Sequence, residues 1–381
     1  MEKDEIDRYV KFGKAYFEDY LYTIDEHEWE ISKPPKRSGK EQLEADTLYT
    51  ELMENANFGT EWFLSRFFYR GRADELSAEY RKLCFKALEK TNHENCFNNA
   101  IDSGIFYEDN KKWEDVLKKP KNKKDEPNGR GKGIDYKKQF EELAQQKFEK
   151  DDKQYQYLPK FGKAFQECIK ETREERKNPD FNINAKDLAM LFDALYWISK
   201  MKEKGWNSKS KFNPMPWVFG RIGDGPGGIQ KVCRGLKEIH QVGPKLAALL
   251  IRDATRILID AEKLEDKTTR DIETKLFEKN PNENGLVECL FPVDTWVEKL
   301  VNEKPGKPVE KSEVAKTALN QYRQVRMSSG KKPNLKEVLE LASGIWSYGF
   351  NNIEVLRMRK NTVKALYSEC IGLDIGIQNK N

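Results

Sequence analysis

Between Ile229 and Ile251 the sequence spells out two helical stretches separated by a break, and no other feature limits the fold as tightly. Ile229, Val232, Cys233, Leu236 and Ile239 recur at three and four residues, the repeat of one apolar helix face. His240-Gln241-Val242-Gly243-Pro244 interrupts the repeat, and Lys245-Leu246-Ala247-Ala248-Leu249-Leu250-Ile251 resumes a helix of small and apolar residues. The prediction is a helix, a tight hairpin and a helix. Gly243 offers a backbone conformation closed to other residues, and Pro244 suits a first helical turn, where its missing N–H is not needed. The amides of the hairpin and the positive end of the second helix then face outward together, which makes a phosphate site. Such a hairpin grips DNA through its backbone and reads no base sequence.

Helical periodicity extends over most of the chain, and alternating β-branched runs are nearly absent, so the expected fold class is all-α. Leu188, Leu191, Phe192, Leu195 and Ile198 fall at helical spacing after Asn184, a plausible N-cap, and the stretch runs out at Gly205. Leu335, Val338, Leu339 and Ala342 mark another amphipathic helix leading into the aromatic segment Ile345–Phe350, where Trp346 and Tyr348 read as core. Glu61–Arg70 sets aromatics beside arginines, either a core helix with arginines reaching out to solvent or a base-stacking surface. Gly205–Gly228 is rich in proline and glycine and reads as an irregular loop. Its Trp206, Trp217 and Phe219 either line a base pocket or pack onto the core.

These patterns divide the 381 residues into an N-terminal helical region (1–115), a basic linker (116–138), a helical connection (139–184), a helix-hairpin-helix domain (185–350) and a C-terminal helix and tail (351–381). Residues 118–138 carry nine lysines or arginines against three acids, with prolines and glycines that stop a helix. That linker either rides on a nucleic-acid backbone or is simply solvated. Residues 261–288, rich in Lys, Glu and Asn, read as a surface insertion.

Composition bears mainly on exclusion. No run approaches the roughly 18 apolar residues of a membrane span, and the acidic start is unlike a secretory leader, so a cytoplasmic protein is expected. The six cysteines form no C-x-x-C pair, which argues against a zinc knuckle, a disulfide framework or an iron-sulfur cluster. With only His27, His93 and His240, a catalytic zinc held by imidazoles is not expected either. Net charge is only +4, so any anionic partner must be held by local patches.

A second landmark, Leu290-Phe291-Pro292-Val293-Asp294-Thr295-Trp296-Val297, follows the hairpin. A hairpin ending Val-Gly-x-Lys followed by Pro-Val-Asp-x-x-Val resembles the helix-hairpin-helix, Gly/Pro-rich loop and aspartate superfamily of DNA glycosylases, which includes endonuclease III and the 8-oxoguanine glycosylases. The resemblance spans roughly residues 185–350 and implies a helical barrel of that type with an additional N-terminal helical region. It implies Lys245 as nucleophile, Asp294 as the essential carboxylate, and DNA contact by His240, Gln241, Val242, Gly243 and Pro244. It implies excision of a damaged or modified base flipped out of duplex DNA, strand cleavage through a lysine Schiff base, no resident cofactor beyond a monovalent cation at the hairpin, and a monomer. Two features depart from the family: Gln241 stands where its hairpin commonly has the first glycine, and Lys245 and Asp294 are 49 positions apart, a long spacing. Without chemistry, the same hexapeptide Val242–Ala247 describes a structural helix-hairpin-helix module that binds DNA, and Asp294 after Pro-Val also makes a good helix N-cap. A helical scaffold with a merely solubilising linker is the third reading.

Overall fold

The computed structural model of the protein describes residues 1–24, 41–68, 74–92, 97, 153–177, 185–203, 213–239, 241–277, 285–293, 297–298, 301 and 310–355. Among these the fold is all-α: thirteen α-helices, and strands of no more than two residues. In chain order the helices are α1 (Lys3–Tyr16), α2 (Ala45–Glu54), α3 (Ala56–Ser65), α4 (Asp74–Asn92), α5 (Lys153–Arg176), α6 (Ala185–Glu203) and α7 (Met215–Gly223). Then come α8 (Pro226–Lys237), α9 (Pro244–Asp260), α10 (Asp266–Phe277), α11 (Leu286–Leu290), α12 (Lys311–Ser328) and α13 (Leu335–Val355). None of them is long and apolar enough to cross a membrane. Asn184, the basic linker and most of the C-terminal tail lie outside the described residues.

The chain forms two compact units, one from Ile24–Lys263 and the other from Met1–Thr23 with Leu264–Asn381. The first is organised around α9, in which every residue from Leu246 to Leu258 is buried. A helix covered on all sides is a central core element. Around it pack α2, α7, α8 and a 3-10 turn, Arg66–Phe68, that continues α3. Because α9 has no wet face, its polar residues must find partners inside. The Arg252 Nε and Nη2 both donate to Asp253 Oδ1, at 2.9 and 2.7 Å. The Arg66 guanidinium stands 3.5 Å from Asp253 Oδ2 and lies over the Trp62 ring at 4.4 Å. Residues Glu61 to Phe68 are thus core, and Arg66 turns inward to a carboxylate instead of reaching solvent.

In the same unit α6 carries the apolar stripe its spacing predicts, with Leu188, Leu191, Phe192, Leu195 and Ile198 all buried. From Asn213 on, the segment read as an irregular loop is largely helical, and this corrects the sequence reading for its described residues. Its prolines stand at helix starts, Pro216 in the first turn of α7 and Pro226 at the first position of α8, where the absent N–H costs nothing.

In the second unit α1 lies along α13 at backbone contact distance. A Cβ on Gly344 would stand 1.6 Å from the Tyr9 carbonyl oxygen, and one on Gly13 1.7 Å from that of Glu340. Aromatic edges close the seam: Tyr348 meets Tyr9 and Phe12 at 5.3 and 5.5 Å, and Trp346 meets Tyr16 at 5.9 Å. From α12, Arg326 pairs with Asp7 and with Glu337, and Tyr322 donates its hydroxyl to Glu337 at 2.8 Å. Of residues 261–288, read as a surface insertion, 261–277 and 285–288 are described. They contain α10, whose Ile272 and Leu276 are buried and whose Glu273 accepts a 3.0 Å hydrogen bond from the Leu335 amide. The 185–350 span therefore divides at Lys263, and of the N-terminal helices α1 belongs with the C-terminal part while α2 to α4 belong with the hairpin.

Candidate nucleic-acid interface

The predicted helix, break and helix are present, as α8 and α9 with a break between Lys237 and Pro244. The inner face of α8, Ile229, Val232, Cys233 and Leu236, is buried. At its end the Glu238 amide donates to Gly235 at 3.2 Å and the Ile239 amide to Leu236 at 3.1 Å, tightening the last turn. The Val242 amide then donates to the Ile239 carbonyl at 3.0 Å, reversing the chain. Ile239 and Val242, 1% and 4% exposed, pin both ends of the turn to the core.

The turn carries its conformational demand two residues earlier than the sequence predicts. Gly243 is the N-cap of α9 with φ −88° and ψ −179°, extended backbone open to any residue, and nothing lies within 4 Å of where its Cβ would be. Gln241 instead takes φ +69°, the left-handed region that favours glycine. Gln241 thus holds a glycine-like backbone with a side chain attached and bears the strain of it.

The N-terminal end of α9 is electropositive. Its cap residue has no side chain to accept from the first-turn amides, the first turn contains no acid, and Lys245 occupies the second helical position, half-exposed. Dipole and cation add, and this is the arrangement that binds a phosphate oxygen. On α8 the outward positions Gly227, Lys231, Arg234 and Lys237 are exposed, and the helix contains no acid. The sequence reading passed over these cations, although their three-residue spacing in an acid-free stretch was visible.

Of the predicted site residues, Gln241, Val242, Gly243, Pro244 and Lys245 come together in this one hairpin. His240, Asp294 and Trp206 lie outside the described residues. The residues flanking Asp294 are buried, Val293 at 5% and Val297 at 0% exposure, with Val297 and Glu298 helical. Phe219 does not line a pocket: it is 3% exposed on α7, its ring 5.2 Å from that of Tyr49. The reason is helical register, since Met215, Val218, Phe219 and Ile222 form the buried face of α7. Trp217, half-buried, meets Trp197 edge-on at 5.4 Å and packs beside Gly235 of α8, so it braces the hairpin from behind. Among the described residues Cys84, Cys168, Cys233 and Cys289 are buried thiols, and no group of three His, Cys, Asp or Glu is placed to hold a metal ion.

Comparison with protein-family profiles, with curated proteins and with solved structures gives no match.

Proposed function

We propose that the chain is a DNA N-glycosylase that holds duplex DNA through the hairpin at 240–245 and excises a damaged or modified base with Lys245 as nucleophile and Asp294 as supporting carboxylate. The observation that carries this reading is the hairpin itself. A left-handed turn residue, an extended glycine cap and an acid-free helix start are what a backbone phosphate grip requires, and they set a lysine beside it. The superfamily resemblance of Val242-Gly243-Pro244-Lys245 with Pro292-Val293-Asp294 supplies the chemistry. A phosphate held by the hairpin brings the neighbouring sugar within a lysine's reach, so binding and attack share one element.

The neutral Lys245 amine attacks C1′ of an everted nucleotide, the N-glycosidic bond breaks, and the base departs with the electron pair and takes up a proton. The Asp294 carboxylate stabilises positive charge on the sugar as the bond lengthens. The sugar opens to a Schiff base on Lys245. Loss of a C2′ proton then expels the 3′ phosphate, which cuts the strand. No metal or organic cofactor is needed in this scheme. The proposed partner is double-stranded DNA bearing the altered base, the protein acts as a cytoplasmic monomer, and a monovalent cation at the hairpin carbonyls fits the phosphate grip.

Borohydride trapping on duplexes with oxidised, alkylated, deaminated and bulky bases tests this. The expected result is a covalent adduct with one class of base that disappears in Lys245→Gln. If no adduct forms but base release occurs and is lost in Asp294→Asn, the enzyme is a simple hydrolase and the role of Lys245 falls. The second reading, a helix-hairpin-helix module without chemistry, is favoured by the same hairpin geometry, which needs no nucleophile. Tight duplex binding with neither adduct nor base release establishes it.

A further inference from the structure

We propose that the outward face of α8 is a phosphate track that continues the hairpin's grip along the nucleic-acid backbone, with Lys231, Arg234 and Lys237 as its three cations. This rests on the reading of the chain as a duplex-binding protein, and it goes beyond the hairpin to a surface that the motif does not include. Three observations converge on it. The cations recur at intervals of three on one helix, so they share a side of it, and all three are exposed with no ion-pair partner among the described residues.

A helix dipole accounts for Arg234 and Lys237, in the last turn, but not for Lys231 in the middle. Next, Gly227 stands one turn before Lys231 on the same side, exposed, with nothing of the protein within 4 Å of where its Cβ would be. With no side chain at this position, the backbone of the first turn is open to close approach by a ligand. Last, the track ends at the hairpin, whose amides face the same class of ligand. The helix itself carries no acid from Pro226 to Lys237, and between it and Lys245 the single acid is Glu238. The chemistry selected is that of a polyanion with regularly spaced charges, a phosphodiester backbone, held without base readout.

The test is the salt dependence of binding to an undamaged duplex, compared between the wild-type protein, the triple variant Lys231→Gln, Arg234→Gln, Lys237→Gln, and a control that loses the same charge on α5, Lys160→Gln, Lys163→Gln, Lys170→Gln. Each phosphate neutralised contributes about 0.9 to the slope of log affinity against log salt. The track predicts that the α8 variant lowers that slope by about 2 to 3, and that the α5 control leaves it within about 0.5 of wild type. Circular dichroism melting confirms that each variant is folded. Should the triple variant fail that check, the single substitutions Lys231→Gln and Arg234→Gln must each lower the slope by about 0.9. Equal slopes for wild type and the α8 variant, or equal losses in both triple variants, overturn the track while leaving duplex binding intact. Absence of wild-type binding at low salt overturns the duplex-binding reading and the track with it.

Discussion

Asp253 of α9 and Arg66 of the turn after α3 meet at 3.5 Å in the interior of the Ile24–Lys263 unit, both side chains nearly sealed from solvent. The same carboxylate receives two hydrogen bonds from Arg252, so one acid balances two guanidiniums. Removing it strips both guanidiniums of this buried carboxylate. Asp253→Ala is expected to cost about 3 to 5 kcal/mol, enough to unfold a protein of ordinary stability. Urea unfolding measures it, and a loss under about 1 kcal/mol would show that water reaches the cluster.

The glycines of this chain should respond oppositely to alanine. At Gly344 a methyl group would meet the Tyr9 carbonyl at 1.6 Å, forcing α1 and α13 apart, and a loss of about 1 to 3 kcal/mol or more is expected. At Gly220, in exposed α7 with open space around it, Gly220→Ala should gain about 0.5 to 1 kcal/mol. Thermal melting of the two variants side by side gives the signs. A Gly344→Ala protein as stable as wild type would refute the close seam.

Gln241 holds a left-handed backbone that costs a non-glycine residue roughly 1 kcal/mol. Gln241→Gly relieves it, offset in part by the freer unfolded chain, and a net gain of about 0.5 kcal/mol is expected with DNA affinity retained. Gln241→Val, β-branched at the same φ, should lose stability and affinity together. Loss of affinity in the glycine variant would instead assign the Gln241 side chain a direct contact.

Alkaline stability is set by buried phenols. Burial, with Glu5 nearby, pushes the Tyr9 hydroxyl up to about 12, and burial together with the Glu337 carboxylate raises Tyr322 as well. Raised folded-state values mean that the contribution is complete below the unfolded value of about 10 and is lost as pH climbs through the folded values. Stability should therefore hold to about pH 10 and fall above it, and Tyr9→Phe should flatten that fall. Unfolding midpoints measured from pH 8 to 11.5 decide the matter. An unchanged slope in the phenylalanine variant would remove Tyr9 from the account.

Local pattern was readable from sequence where one face of a helix carried it. The stripe Ile229, Val232, Cys233, Leu236 located α8, and Pro244 marked the start of α9 at its first residue. What failed were features decided by distant partners. Ile272 and Leu276 are one apolar pair in a charged stretch, too little to reveal a packed helix before Leu335 is known to meet Glu273. The inward turn of Arg66 depends on Asp253, nearly two hundred residues away in sequence. Prolines near 216 and 226 were read as loop because proline breaks a helix interior yet suits its first turn, and composition alone does not separate the two cases. At the candidate site, the hairpin was legible and its strained residue was not, because backbone strain at Gln241 leaves no mark on residue type.

The two units also differ in when a ribosome can complete them. The hairpin unit is one continuous run, Ile24–Lys263, whereas α1 finds its partners only at the far end, Arg326 reaching Asp7 across 319 positions. At about 5 to 20 residues added per second, α1 waits roughly 15 to 60 s with Ile6, Tyr9 and Phe12 uncovered, longer than most domains take to fold. The nascent chain thus carries a completed hairpin unit together with an apolar helix in search of cover, and synthesis stalled between Lys263 and Leu335 would release a species prone to aggregate.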